Sequence, residues 1–449
     1  MTDYPKFPDY WALANEIAMY AQLKHELGAK NIDLVLSEAH ESLRTSLLKI
    51  KSLEIDSELA KKEPSKLEDI HRLRPAGPRR LWDRFEEDAY VQRLEGGMLG
   101  RFAGCTLGAP VEFWNVERMK SLAEENGDDF PPTQYWRYVP EPKRLRYNIS
   151  RVEGYTRGGM DGVPVDDDIM YTILGLLIVE ESGIDFSTED VAQAWMKYLP
   201  WTWDNYVWAN LKATVPATEA AEKDNPKVQL INASIRADAW GYLAPGNPEL
   251  AAALAWKDGI LSHRRNGLYA EMFFAAAISA AFALEEPIKA LEIALTEIPE
   301  ECTFSQNIRW ALKYASSVHD YKDARAAIDQ RFGCGNENFM FEGMHPVHSI
   351  NNACCTVFGL VIGNRNFTKV IGETVAMGMD NDCTAATAGS IVGASIGKKG
   401  IPEHWYKSYN DIVHSYLVGH SRFSITDLIQ RFTKQAQNMW NQHSGKPVR

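Results

Sequence analysis

The sequence predicts an all-α protein, a single large helical bundle with a helical extension at its N-terminus. Three observations carry that reading. Downstream of Leu81, apolar residues recur at helical spacing through segments rich in alanine and glycine. Alternating apolar and polar runs, which mark half-buried strands, are scarce; the best one, 134–139 (QYWRYV), is short. No fixed-period repeat is evident, which argues against a solenoid.

The first elements lie in the extension, residues 1–85. Leu13, Ile17, Tyr20, Leu23 and Leu27 mark a helix over 10–27. Leu36, Leu43, Leu47, Ile50 and Leu53 do the same over 32–59, so an antiparallel pair is expected. The segment 71–80 (HRLRPAGPRR), with two prolines and four arginines, reads as a boundary linker: a solvated hinge or, less simply, a phosphate contact. The main domain follows over 86–449. Its expected helices are 86–108, 169–182, 188–198, 249–258, 269–284, 287–298, 304–318, 322–332, 348–362, 367–378 and 383–397.

Composition narrows the function. The 449 residues are 45% apolar and 24% charged, ordinary for a globular chain and too apolar for wholesale disorder. Acids outnumber bases 60 to 48, for a net charge of −12. Nucleic acids and anionic membranes call for a basic surface, so neither is an expected partner. The longest apolar stretch, 272–284 (MFFAAAISAAFAL), falls short of the roughly 20 residues that span a bilayer and reads as a buried helix. The opening MTDYPKFPDYW has no basic region followed by an apolar one, so no secretory signal is expected. Cys105, Cys302, Cys334, Cys354, Cys355 and Cys383 form no C-x-x-C pair and are too sparse for a disulfide scaffold. They are expected reduced, in a cytoplasmic protein. The oligomeric state stays open.

Three segments concentrate chemistry. Asp166, Asp167 and Asp168 stand directly before the apolar run IMYTILGLLIV. One aspartate would suffice to cap a helix. Three in a row fan out at about 100° per residue and can hold a hard cation through oxygen. Asp380 and Asp382 precede the small-residue helix TAATAGSIVGASIG, where buried acids need partners or a metal. Gly96, Gly100, Gly104 and Gly108 fall on one face of a helix, a mark of tight helix crossing; Glu112 follows just past Pro110.

In this order the three segments resemble the ADP-ribosylglycohydrolase family. The family's opening reads roughly G-x-x-x-G-D-A-L-G-x-P-x-E, here GRFAGCTLGAPVE over 100–112. Its first metal motif, T-D-D-T-x-M, corresponds to VDDDIM over 165–170, and its second, G-x-D-T-D-T, to GMDNDCT over 378–384. The resemblance spans about 93–400 and leaves the extension uncovered. It implies an all-α fold with two Mg²⁺ or Mn²⁺ ions in a central cleft. By the resemblance the metal ligands fall on Asp166, Asp167, Asp380, Asp382 and Cys383, with Asp168 as a possible addition, and the family's glutamate on Glu112. Cys105 stands where the family has aspartate. Val165 and Cys383 each stand where it has a hydroxyl, and a thiol is a poor ligand for Mg²⁺.

The expected activity is hydrolysis of the glycosidic bond of an ADP-ribosyl or related ribosyl conjugate, with metals on the ribose hydroxyls and a positioned water. Glu112, Asp167 and Asp382 are the expected catalytic residues. Gly159, Met160 and Asp161, in a glycine-rich loop lacking the lysine of a P-loop, are candidate substrate contacts. His263, His345 and His348 are further candidates, with capping or core roles as their alternatives; a zinc site among them lacks supporting cysteine spacing. The aromatic run 201–208 (WTWDNYVW) suits base stacking or core packing. Two alternatives remain: a hydrolase of a small nucleoside or sugar conjugate, and a non-catalytic, crystallin-like member.

Overall fold

Two helices with small residues on their facing sides form the centre of the molecule. A computed structural model describes residues 8–139, 152–333 and 343–443; Cys334 lies outside them. The glycine helix, Glu87–Gly108, and the alanine-rich helix, Asn381–Ile396, are buried over most of their length. They run antiparallel with backbones touching: a Cβ on Gly96, Gly100 or Gly104 would strike the carbonyl of Gly393, Gly389 or Ala385. One on Gly108 would strike the backbone of Asp382. A glycine inside a helix costs roughly 1 kcal/mol against alanine. Here the cost is offset by an approach that no side chain permits.

The predicted helices pack around this pair. Asn266–Ala281 is buried along its whole length, and Asp167–Ser182 from Asp168 to Val179. Ser349–Gly363, Phe367–Ala376 and Pro248–Gly259 complete the core. Each lies within a few residues of its expected bounds. The amphipathic helix Ile425–His443, which the expected set lacks, buries Leu428, Phe432, Ala436 and Met439. No strand forms at 134–139; Arg137 makes only an isolated bridge to Arg157. Among the described residues the strands are Ile412–His414 and Arg422–Ser424, and Val413 bridges to Val163. None of the helices among the described residues is long and apolar enough to cross a membrane. The five described cysteines are all buried, and none forms a disulfide with another.

The extension has two parts. Tyr10–Glu26 and Ile32–Lys51 bury no residue, and Trp11 stands 77% exposed. The helix expected over 32–59 breaks after Lys51. Asp56 takes the backbone N–H groups of Glu58 and Leu59 and starts a new helix, Ser57–Lys62. From there the chain is clamped to the bundle. Buried Glu63 accepts from Thr303 N at 2.9 Å, Arg265 Nε at 2.8 Å and Asn266 Nδ2 at 3.0 Å. The segment 71–80 is no solvated hinge: its start lies in the helix Leu67–Leu73, Arg74 and Arg79 are spent on buried or half-buried acids, and Arg80 donates to the Trp82 carbonyl and lies over Trp440. Arg74 pairs with Glu249 and, at 2.6 Å, with Glu297; Arg79 reaches Glu297 at 2.9 Å.

Candidate metal centre and active site

Two helix N-termini and one loop converge here. Asp166 is the N-cap of Asp167–Ser182, its Oδ1 accepting from Asp168 N at 3.0 Å. Asp167 and Asp168 occupy the first turn and diverge. Asp168 turns inward and is fully buried. Arg101, on the glycine helix, donates to Asp168 Oδ1 at 3.0 Å, to its carbonyl at 2.7 and 3.0 Å, and to Asp238 Oδ2 at 2.6 Å. The other carboxylate oxygen, Oδ2, lies 3.0 Å from Cys383 Sγ.

Asp380 stands at the N-cap of the alanine-rich helix yet makes no capping bond, which leaves its carboxylate for another use. The turn before it is strained: Met379 has φ 66° and, across from it, Phe113 has φ 60°. Phe113 N donates to the Met379 carbonyl at 3.0 Å, tying the loop that carries Glu112 to the turn that carries Asp380. Gly108 against Asp382 sets the depth of that junction. Three groups of potential ligand atoms result, each within 4.8 Å: Glu112–Asp380–Asp382, Asp168–Asp382–Cys383 and Asp166–Asp167–Asp168. Asp382 belongs to the first two and Asp168 to the last two.

These charges oppose one another. Burial, then Asp382, pushes the Asp166 and Asp380 carboxyls well above the usual range. Burial and Asp168 push Asp167 up to about 7; burial, partly offset by Arg101, puts Asp168 at about 7. Glu112, more open to solvent than Asp380 and Asp382, is still pushed up to about 9 by desolvation and by Asp382, Asp167 and Asp168. Asp380 and Asp382 are only 4% and 3% exposed, and each keeps an Oδ1 with no hydrogen-bond partner. Buried oxygens of that kind need a proton or a cation. The donor set therefore fits divalent ions: two of them would offset four of the six carboxylate charges, and Arg101, shared between Asp168 and Asp238, offsets part of the rest.

A model of the ADP-ribosylglycohydrolase family matches residues 86–441. The chain belongs to the ADP-ribosylglycohydrolase family. Its members are glycosidic-bond hydrolases, and the chain is one of them. No curated protein matches it. A solved structure described as an "ADP-ribosylglycohydrolase-related protein complex" covers 79% of this chain and 99% of its own, at 16% identity and a TM-score of 0.50. At that identity it speaks to the all-α fold alone.

The ADP-ribosylglycohydrolase motifs thus carry the residues that meet: Glu112, Asp166, Asp167, Asp168, Asp380, Asp382 and Cys383. Val165, in the first hydroxyl slot, is 37% exposed and gives only its carbonyl, to Tyr155 Oη. Cys105 hydrogen-bonds Asp166. None of the other candidates belongs to the three ligand groups. His263 is fully buried, with Nδ1 2.7 Å from Ser262 Oγ. Burial and Arg236 hold its pKa well below the usual histidine value. His348 caps Ser349–Gly363, its Nδ1 accepting from Ile350 N at 3.1 Å. His345 Nδ1 accepts from Val347 N at 3.2 Å. Asp161 is exposed; its Oδ1 accepts from Asn410 at 3.0 Å and its carbonyl from His414 at 2.6 Å, so the loop of Gly159 and Met160 is held by the strand pair.

Sequence reasoning passed over several buried charged and aromatic residues around this candidate centre. Arg101 and Asp238 pair in full burial behind Asp168. Arg236, also buried, links Asp258 at 2.7 Å, Asp204 at 3.4 Å and Glu271 at 3.5 Å. Tyr155 and Tyr416 lie close enough to the aspartates for their phenol pKa values to rise, chiefly through burial. Tyr416 packs on Trp201, 5.7 Å between centroids. For Arg101 a signal was available: it is the one charged residue in the glycine-rich stretch 96–108.

Proposed function

We propose that this enzyme hydrolyses the glycosidic bond of an ADP-ribosyl or related ribosyl conjugate, using two divalent cations, Mg²⁺ or Mn²⁺. The observation that carries the reading is the meeting of Asp166–Asp168 with Asp380 and Asp382, two of whose buried oxygens lack any donor. Residues 86–441, which the family model matches, form the catalytic unit in this reading; residues 1–85 are an extension to it.

Glu112, Asp380 and Asp382 would hold one ion, and Asp168, Asp382 and Cys383 the other, with Asp166 and Asp167 alongside. The ions, when bound, supply Lewis acidity toward ribose hydroxyls and water. The chain does the rest. Arg101 and the helix N-terminus hold Asp166–Asp168 in one orientation before substrate arrives. The carboxylates face the positive charge that develops on the ribose ring. Glu112, on the solvent-facing side of the group, takes a proton from the attacking water or returns one to the leaving group. Asp167 and Asp382 orient that water.

The test is a panel of ribosyl conjugates (ADP-ribosyl-arginine, ADP-ribosyl-serine and free nucleosides) assayed with and without EDTA. Hydrolysis of at least one, abolished by EDTA and restored by Mn²⁺, is expected. Full turnover in EDTA would refute the metal mechanism. Cleavage of nucleosides alone would move the substrate to the small-conjugate class.

A further inference from the structure

We infer that Cys383 splits the proposed centre into two unlike halves: an all-oxygen position at Glu112–Asp380–Asp382 for a hard ion, and a thiolate position at Asp168–Asp382–Cys383 that selects a borderline ion of the zinc, cobalt or ferrous type over magnesium. The inference rests on the divalent centre proposed above and replaces Mg²⁺ or Mn²⁺ with a borderline ion at the Cys383 position of that centre.

The geometry is specific to this thiol. Among the described residues, Cys383 is the one cysteine within ligand distance of two carboxylates. The other thiols are placed differently. Cys302 bonds Ser305 Oγ at 3.3 Å, Cys355 lies 3.8 Å from Met379 Sδ, and Cys105 bonds Asp166 outside all three groups. Arg101 occupies Asp168 Oδ1, so the oxygen left for an ion is Oδ2, the one 3.0 Å from Cys383 Sγ. Asp382 closes the set; it is 3% exposed and its Oδ1 has no partner. That orphan oxygen points to a ligand independently of the sulfur.

Chemistry then assigns the ion. Thiolate sulfur binds zinc and its neighbours tightly and binds Mg²⁺ poorly, whereas carboxylates alone suit Mg²⁺ and Mn²⁺. One sulfur and two carboxylates make three protein ligands, which leaves a fourth place for water or a substrate oxygen. On binding, the Cys383 S–H proton passes to solvent, and Asp168 Oδ2 exchanges that hydrogen bond for the ion.

The experiment titrates Co²⁺ into metal-stripped full-length protein and follows the near-ultraviolet sulfur-to-cobalt charge-transfer band. The band is expected to saturate at one equivalent per chain, to vanish in Cys383→Ser and to persist in Cys105→Ser. Calorimetry should show Zn²⁺ affinity falling on the order of 100-fold in Cys383→Ser, since loss of an outer-shell partner alone costs about 10- to 100-fold. Should that variant fail to fold, X-ray absorption of the zinc-loaded wild type decides: one sulfur neighbour at about 2.3 Å is expected. Mn²⁺ binding with neither a cobalt band nor a zinc–sulfur shell overturns the inference and leaves the divalent centre standing. A cobalt band that Cys105→Ser abolishes reassigns the thiol and also overturns it. Absence of all divalent binding overturns both readings.

Discussion

Asp382 is shared by two of the three ligand groups, and its backbone rests on Gly108. Asp382→Asn should therefore abolish both Mn²⁺ binding and EDTA-sensitive hydrolysis. In the absence of metal it should melt above wild type near neutral pH, because one opposed charge is gone from a buried cluster. Calorimetry and thermal unfolding with EDTA read the two effects separately, and tight Mn²⁺ binding by the variant would sink the shared-ligand role. Arg101 works in the opposite direction. It is the buried cation between Asp168 and Asp238, so Arg101→Met leaves two acids uncompensated. A loss of about 3–5 kcal/mol in denaturant unfolding is expected. These roles were half legible. The aspartates announce themselves as a run before an apolar helix, but which of them turns inward depends on a rotation of about 100° per residue. The partner of Asp168 lies far away in the chain, on the glycine helix.

At the scale of elements, the glycine ladder sets the depth of the site. Its four-residue spacing is visible in the sequence; its mate, Asn381–Ile396, is not named there, because alanine, glycine and serine suit any close contact. Gly104→Ala places a methyl group against the Ala385 carbonyl. Overpacking of this kind costs about 1–3 kcal/mol, and the shift should weaken Mn²⁺ binding as well. An unchanged melting temperature would show that the two helices can separate at no cost. The belt from 57 to 80 makes a second prediction. Glu63→Ala strips Arg265 and Asn266 of a buried acceptor, and about 3–5 kcal/mol of stability should go with it. Removing residues 1–55, which bury nothing of their own over Tyr10–Glu26 and Ile32–Lys51, should leave the melting temperature within a degree or so. The arginines of 71–80 read as solvated because a basic, proline-containing segment fits a hinge equally well. Glu249, in a distant helix, and Glu297, in the turn after another, engage Arg74 and Arg79.

For the whole molecule, the opposed carboxylates make metal-free stability depend on pH. Asp167 and Glu112 have ordinary values of 3.8 and 4.5, and the folded chain raises them to about 7 and about 9. The folded state then holds protons that the unfolded state has released, so stability is full below about pH 4 and falls as pH rises through 7 toward 9. Divalent ions displace those protons. The rise in melting temperature on adding Mn²⁺ should thus be larger near pH 8 than near pH 5.5, with proton release measurable by calorimetry in two buffers. An equal rise at both values would mean that the ions bind away from these groups. What the sequence determined by itself is whatever a helix enforces over four or so residues: the all-α class, the bounds of most core helices, the glycine face, and the identity of the acids at two helix starts. Only the tertiary structure decided that Cys383 meets Asp168 across 215 positions, that Val165 faces outward, and that His263 is buried against Ser262 and joins none of the ligand groups. Helix periodicity is a local constraint, whereas a contact between distant helices depends on how their faces rotate and slide when they pack, which no short stretch of the chain specifies.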